Sequence, residues 1–276
     1  MTEATPRRTP PRLLRVKHTR LLSPGLKRVT LAGDALAGFP SDSDGAHIKL
    51  MFPQPHQTDP VLPTLGPSGP VWPPDHERPI VRTYSVSRYH ADTGELEVDF
   101  VLHGDNGPGS RWAQHAAPGD AIGVAGPGGP DRVKPAADWY LLVADPSAYA
   151  ALAAALGALP DNARGYALME VASADEIVPL QAPPGVTVHW LMRGSKLPGA
   201  STLLLDKVVS LPWLAGTPSV MVAGENSQVV AIRDYVLQEK QLPKKMLYAV
   251  PYWKDQHDEE SYHAERHRIM DELDEQ

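Results

Sequence analysis

The residues best suited to chemistry lie in three short runs of the N-terminal half: Arg82-Thr83-Tyr84-Ser85, Asp99-Phe100-Val101-Leu102-His103-Gly104 and Gly107-Pro108-Gly109-Ser110-Arg111-Trp112. If 82–85 opens a strand, Arg82 and Tyr84 share a face and offer a cation beside an aromatic plane. Ser85 then points the other way, with its backbone open to a ring edge. Gly107 followed by Ser110 at the start of a short helix exposes backbone N–H groups, a natural seat for a pyrophosphate. Taken singly, each run also fits an ordinary strand or glycine turn. His263 and His267 stand four apart and would share a helix face, but the Glu of H-E-x-x-H is misplaced between them. That pair reads as a solvated face, and no metal site is expected.

The elements that must position these runs change character halfway along the chain. Short β-rich runs at 13–16, 26–31, 47–52, 81–87, 95–103 and 121–126 are each bounded by Gly, Pro, Asp or Ser, which suggests an antiparallel barrel or sandwich. Residues 95–102 begin as an alternating strand and end fully apolar, as if running from solvent into a core. Between two of these strands, 53–79 holds nine prolines in 27 residues, too dense for a regular helix or sheet centre. From Trp139 onward, strands at 139–144, 165–171, 186–191, 219–223 and 244–250 alternate with helices at 148–159, 201–211 and 226–241. Asp145-Pro146-Ser147 reads as the start of the first helix. Such alternation means parallel strands joined by crossover helices, whose ligands gather at the strands' carboxyl ends. The boundary falls in Gly/Pro-rich 126–138. The expected domains are therefore 1–130 and 138–253, with a C-terminal helix in 254–276.

Composition narrows the chemistry further. Of the net charge of −7, the tail 254–276 alone carries −6, so the rest is nearly neutral. A neutral body lacks the basic face that a nucleic-acid partner needs. Cysteine is absent, which excludes disulfides, thiolate metal sites and a cysteine nucleophile. No apolar run approaches a membrane span, and 1–15 lacks a signal-like apolar stretch, so a cytoplasmic protein with no membrane partner is expected. G-x-G-x-x-G, G-x-x-x-x-G-K-[ST] and G-x-S-x-G are all missing, which argues against an ordinary dinucleotide fingerprint, a P-loop enzyme and a serine hydrolase.

Taken together and in order, R-T-Y-S, D-F-V-L-H-G and G-P-G-S-R-W-A resemble the flavin domain of the ferredoxin-reductase superfamily. With A-D-P-S at 144–147, V-A-G-E-N at 222–226 and P-Y-W-K at 251–254, the chain is similar in closer detail to the siderophore-interacting proteins, FAD-dependent ferric-siderophore reductases. The resemblance implies a six-stranded antiparallel flavin-binding barrel followed by a parallel-sheet, nicotinamide-binding-type α/β domain. It also implies FAD as cofactor, NADH or NADPH as electron donor, and a ferric siderophore as substrate. Superfamily relatives that serve a protein electron partner and a non-enzymatic siderophore-binding protein are the alternatives. Intact R-T-Y-S and G-P-G-S runs speak against the latter.

By the same resemblance, Arg82 meets the FAD phosphates, Tyr84 lies against the flavin or ribityl chain, and Thr83 and Ser85 complete that box. Asp99, Val101 and His103 line the flavin site; Gly107, Gly109 and Ser110 take the pyrophosphate, with Trp112 beside them. Asp145, Ser147, Gly224, Glu225 and Asn226 would face the nicotinamide. Arg193 and Lys196, just beyond a strand's carboxyl end, could read a 2′-phosphate, touch a siderophore or be solvated loop charges. An anionic ferric siderophore calls for basic groups, for which Lys254, Arg193, Lys196 and Lys207 are candidates. Trp253, expected just past the last strand, would line the active site or pack. The chain departs from the family where Ser87 stands at a common arginine position, and where Tyr252-Trp253-Lys254 runs into Asp255-Gln256 rather than glycine.

Overall fold

The computed structural model describes residues 9–105 and 107–257, together with Tyr262 and Arg268. The expected helix at 258–273, with His263 and His267, lies outside the described residues apart from the helical positions Tyr262 and Arg268. The chain forms two compact units, Met1–Arg20 with Lys27–Gly129, and Leu21–Leu26 with Pro130–Gln276.

In the first unit β1 (Arg12–Ser23), β2 (Leu26–Ala32) and β3 (His47–Phe52) precede a small hairpin of β4 (Thr64–Gly66) and β5 (Gly69–Val71). Then come β6 (Ile80–His90), β7 (Glu95–Val101), helix α1 (Pro108–His115) and β8 (Ala121–Gly128). Six of these strands close a barrel in the order β1-β2-β7-β6-β3-β8. Alternation makes the barrel: Leu96, Val98 and Phe100 of β7, and Ile48, Leu50 and Phe52 of β3, turn inward and are essentially inaccessible, while Met51 of β3 is buried on the other face. Their neighbours Glu95, Glu97 and Asp99 face outward, so a one-residue slip would bury three carboxylates.

The second unit runs β9 (Trp139–Ala144), α2 (Tyr149–Gly157), β10 (Arg164–Val171), β11 (Gly185–Met192), α3 (Leu203–Ser210), β12 (Pro218–Glu225), α4 (Asn226–Asp234) and β13 (Leu247–Trp253). All pairings are parallel, in the order β11-β10-β9-β12-β13. Every residue of β9 is buried, as a central parallel strand covered on both faces requires. Trp139, Leu141 and Val143 pack with Leu204 and Val208 of α3 and with Val229 and Ile232 of α4. The chain leaves β9 toward β10 and leaves β12 toward β13, so the topological switch point lies between β9 and β12.

Several elements differ from the sequence reading. The proline-rich excursion is not wholly irregular, because Leu65 and Pro70 pair within the β4–β5 hairpin. The last strand is shifted: a 3-10 turn occupies Lys244–Met246, and β13 continues through Pro251 to Trp253. Pro251 is tolerated because β13 is an edge strand, where a missing N–H costs no ladder bond. Trp253 is therefore the final strand residue rather than the first loop residue. The helix expected at 226–241 changes at Asp234 into a π-turn over Tyr235–Glu239.

Candidate functional site

Within the barrel unit the three N-terminal runs converge on the first turn of α1. On β6, Arg82 and Tyr84 stand opposite the inward residues Leu50 and Ile48 of β3, so the expected shared face is present. The Tyr84 ring packs 4.6 Å from Phe100 and 6.4 Å from Phe52, and Trp112 lies 5.7 Å from Phe52 and 5.6 Å from Phe100. Trp112 thus belongs to the aromatic cap of the barrel core. The Tyr84 hydroxyl reaches α1 at Gly109, where a Cβ would stand 2.1 Å from it. Only a residue without Cβ lets strand and helix approach this closely.

Ser110, buried, fastens the other two runs together. Its hydroxyl accepts from the His103 backbone N–H at 3.0 Å and donates to the Gly104 carbonyl at 2.8 Å. The exposed His103 ring lies beside Gly107. Among the described residues no side chain caps α1: Gly107 at the N-cap has φ +102°, Pro108 brings no N–H, and the first turn holds no acid. The Gly109 and Ser110 amides are thus the donors that this helix start can direct at an anion. The hydroxyl of Ser85 is buried without a hydrogen-bond partner among the described residues. An orphaned hydroxyl on one face of β6, a half-buried arginine on the other, and the glycine-led start of α1 are the polar groups that a phosphate-bearing ring cofactor needs. The residues present fit FAD.

Two members of the expected set have other work. Asp99 turns outward and takes a bidentate pair from Arg28 of β2, at 2.6 and 2.7 Å, while Ser87 donates to it at 2.9 Å. Its carboxylate is spent inside the barrel wall. Thr83 accepts from Lys49 at 2.5 Å. Arg28, which also donates to Glu97 at 3.0 Å, was missed by sequence reasoning. Nothing in its local run marks it, because the pairing depends on β2 lying beside β7. Val101 ends β7, half-buried.

In the second unit the strand ends β9, β12 and β13 are tied by Asp145. Its Oδ1 accepts from the Ser147 N–H at 2.8 Å and hydroxyl at 2.5 Å, and its Oδ2 accepts from the Glu225 N–H at 2.7 Å and the Trp253 indole at 2.8 Å. Burial pushes this carboxyl above its ordinary range, and the donors from Ser147, Trp253 and Glu225 oppose the rise. Gly224 has φ +145°, and a Cβ there would lie 2.7 Å from Asp145. Glu225, also buried, caps α4 by accepting from the Ser227 N–H at 2.7 Å, and it accepts from the Asp255 N–H at 3.2 Å. Asn226 receives the Tyr262 hydroxyl at 2.7 Å.

A second buried carboxyl, Glu170 near the end of β10, was not foreseen. It accepts from Ser201 at 2.7 Å and from Gln228 at 3.2 Å. Burial raises its pKa, against the Ser201 and Gln228 bonds and the charge of Arg193, with Asp145 adding to the rise. Arg193 follows β11, donating its Nε–H to the Lys196 carbonyl at 3.2 Å, and Lys196 is exposed. Lys207 stands on a different element. It lies within α3, where its charge reinforces the burial that lowers the pKa of His189 inside β11. The Lys254 ammonium sits 5.9 Å from the centre of the Tyr262 ring.

A closed six-stranded antiparallel barrel followed by a parallel five-stranded sheet ordered about a central switch point makes this a two-module chain, a β-barrel and an α/β unit of the kind that binds ligands at its strand ends. The comparisons narrow the class. Residues 15–131 match the siderophore-interacting FAD-binding domain, and residues 137–256 match the siderophore-interacting protein domain. The chain belongs to the siderophore-interacting protein family. It is 38% identical to the ferric vibriobactin reductase ViuB of Vibrio cholerae over 95% of this chain and 96% of that protein. It is 31% identical to an NADPH-dependent ferric-chelate reductase of Escherichia coli, covering 88% and 92% of the two chains. Among solved structures, the siderophore-interacting protein SipS from Aeromonas hydrophila superposes with a TM-score of 0.84 at 38% identity, covering 95% and 98%.

Proposed function

We propose that this protein is a ferric-siderophore reductase, drawing electrons from NADH or NADPH through FAD to siderophore-bound Fe(III) and releasing Fe(II). The observation that carries the reading is the end-to-end similarity to a ferric vibriobactin reductase, with the two family domains lying one in each half. When bound, FAD supplies the chemistry that couples a two-electron donor to a one-electron acceptor. The chain supplies position. Arg82 and the Gly109 and Ser110 amides hold the phosphates, the Ser85 hydroxyl gains its missing partner from the ring, and Tyr84 and His103 border the ring. Asp99 and Trp112 keep β7 and α1 in place.

No protein iron ligand is needed, because hard oxygen donors of a siderophore hold Fe(III) far better than Fe(II), and reduction itself loosens the metal. Trp253, Lys254, Arg193 and Lys196 are the candidate substrate contacts; Lys207, set within α3, is the least suited. Asp145, Ser147, Gly224, Glu225 and Asn226 shape the nicotinamide end of the second unit. Among the described residues no helix is long and apolar enough to cross a membrane, and we place the protein in the cytoplasm. A reduced electron-carrier protein is the second reading for the donor, favoured by the net charge of −6 on residues 254–276. The test is retention of FAD. Arg82→Ala should weaken it by about 1.5–3 kcal/mol, the worth of a charge-assisted hydrogen bond to phosphate. FAD bound as tightly by Arg82→Ala as by the parent protein removes the phosphate role.

A further inference from the structure

The ends of β9 and β12 are where a nucleotide phosphate docks in most open parallel sheets, on helix N–H groups and a close-approaching glycine. In this chain those groups are already taken. The Ser147 N–H is held by Asp145, the Ser227 N–H by Glu225, and the Glu225 N–H by Asp145 again, all at 2.7–2.8 Å. The Ser147 and Ser227 hydroxyls bind the same two carboxylates. The notch left by Gly224 is filled by the Asp145 carboxyl, and the Trp253 indole closes its far side. Both acids are buried, at 6% and 3% exposure, so neither can swing into solvent to make room. An arriving phosphate would have to break this arrangement and then face the carboxylate it displaced.

We propose that Asp145 and Glu225 are specificity-determining residues that close the ends of β9 and β12 to phosphate. The phosphates of the donor are thereby directed to the ends of β10 and β11, where Arg193 and Lys196 lie. This rests on the reading that the donor is a nicotinamide dinucleotide. It assigns the two acids a role opposite to direct nicotinamide contact: they exclude one part of the donor and so fix which way it lies. Arg193 is suited to the receiving end, because its Nη atoms make no hydrogen bond to the described residues and its planar fork matches phosphate oxygens.

The experiment uses the FAD-loaded full chain and ADP, which carries the pyrophosphate without the nicotinamide. Binding is measured by calorimetry for the parent, Glu225→Ser, Arg193→Ala and the double variant. Serine removes the carboxylate that repels phosphate, and its neutral hydroxyl caps the helix yet yields the Ser227 N–H to a stronger anionic acceptor. Arg193→Ala should weaken ADP about tenfold, and Glu225→Ser should tighten it by about the same factor, as gain or loss of one charged contact would do. In the Glu225→Ser background, removing Arg193 should matter less than about threefold, because α4 can now accept phosphate. The proposal is overturned if Glu225→Ser, folded by its melting curve, leaves both the affinity and the dependence on Arg193 unchanged. Should Glu225→Ser fail to fold, the near-isosteric Glu225→Gln must show a gain in the same direction, and no gain overturns the proposal. NADH and NADPH oxidation by the parent protein is followed separately. No oxidation of either, with the ADP pattern as expected, defeats the donor reading and leaves the two acids in their role. Normal oxidation with an unchanged ADP pattern does the reverse.

Discussion

The helix α1 of the barrel unit begins Gly107-Pro108-Gly109-Ser110 with no capping side chain among the described residues and no acid in its first turn. In the second unit, the 3-10 turn that leads into α2 is capped by Asp145, and α4 is capped by Glu225. The first start leaves its amides without a side-chain cap among the described residues, and the other two have theirs capped from within. The difference lies in one residue, the N-cap. A glycine there leaves the first-turn N–H groups to a ligand, whereas an aspartate or glutamate satisfies them from within. A phosphate seat and a structural clasp are therefore the same backbone with different caps.

The clasp should be the costlier of the two to disturb. Asp145→Ala strands the N–H groups of Ser147, Glu225 and Trp253 without an acceptor, in a buried site. Chemical denaturation should show a loss of about 3 kcal/mol or more, with Trp253 emission shifted toward that of a solvated indole. A loss below about 1 kcal/mol would contradict the view that this carboxylate ties three strand ends.

The seat depends on a close approach instead. Gly109→Ala places a Cβ 2.1 Å from the Tyr84 hydroxyl, so the Tyr84 ring or the helix must shift. The expected cost is about 1–3 kcal/mol, the usual range for overpacking, together with weaker FAD retention. Tyr84→Phe in the same chain should recover much of both. If the double variant is no better than Gly109→Ala alone, the contact is not what the glycine protects.

The smallest effect concerns pH. Glu170 has a folded pKa above its ordinary value of 4.5, so the folded state holds its proton more tightly than the unfolded chain. Stability therefore falls as pH rises from that value through the raised one, and the loss is complete above it. Glu170→Gln keeps an acceptor for Ser201 and Gln228 and removes the titration. Its urea midpoint should change less between pH 4 and pH 8 than that of the parent, with the two converging at the acid end. Parallel pH profiles would sink this assignment.

Much of the barrel was legible because its strands are short β-rich runs with clear bounds, and β7 alternates cleanly, so a period of two leaves one choice of inward face. The central strand β9 was legible as an unbroken apolar run. Pro251 misled the reading of the last strand, since a proline ends a strand in most settings and only the edge position of β13 excuses it. The hairpin within the proline-rich excursion was hidden by composition. At the site, the convergence of R-T-Y-S with G-P-G-S was readable from motif order. The engagement of Asp99 by Arg28, and of Asp145 by Trp253, was not. Those pairs are 71 and 108 residues apart and exist only through sheet neighbourhood. The proximity of Lys207 to His189 was hidden for a related reason: it depends on how α3 lies on the sheet, which its own sequence does not state.

The most direct test of the central claim is an anaerobic single-turnover experiment on the FAD-loaded protein, watched by its visible spectrum. Addition of NADH or NADPH should bleach the flavin bands. A ferric catecholate or hydroxamate complex added next should restore them, with ferrous iron appearing in step and captured by a ferrous-specific chelator. A protein whose flavin stays reduced in the presence of ferric siderophore, with no ferrous iron formed, would contradict the account.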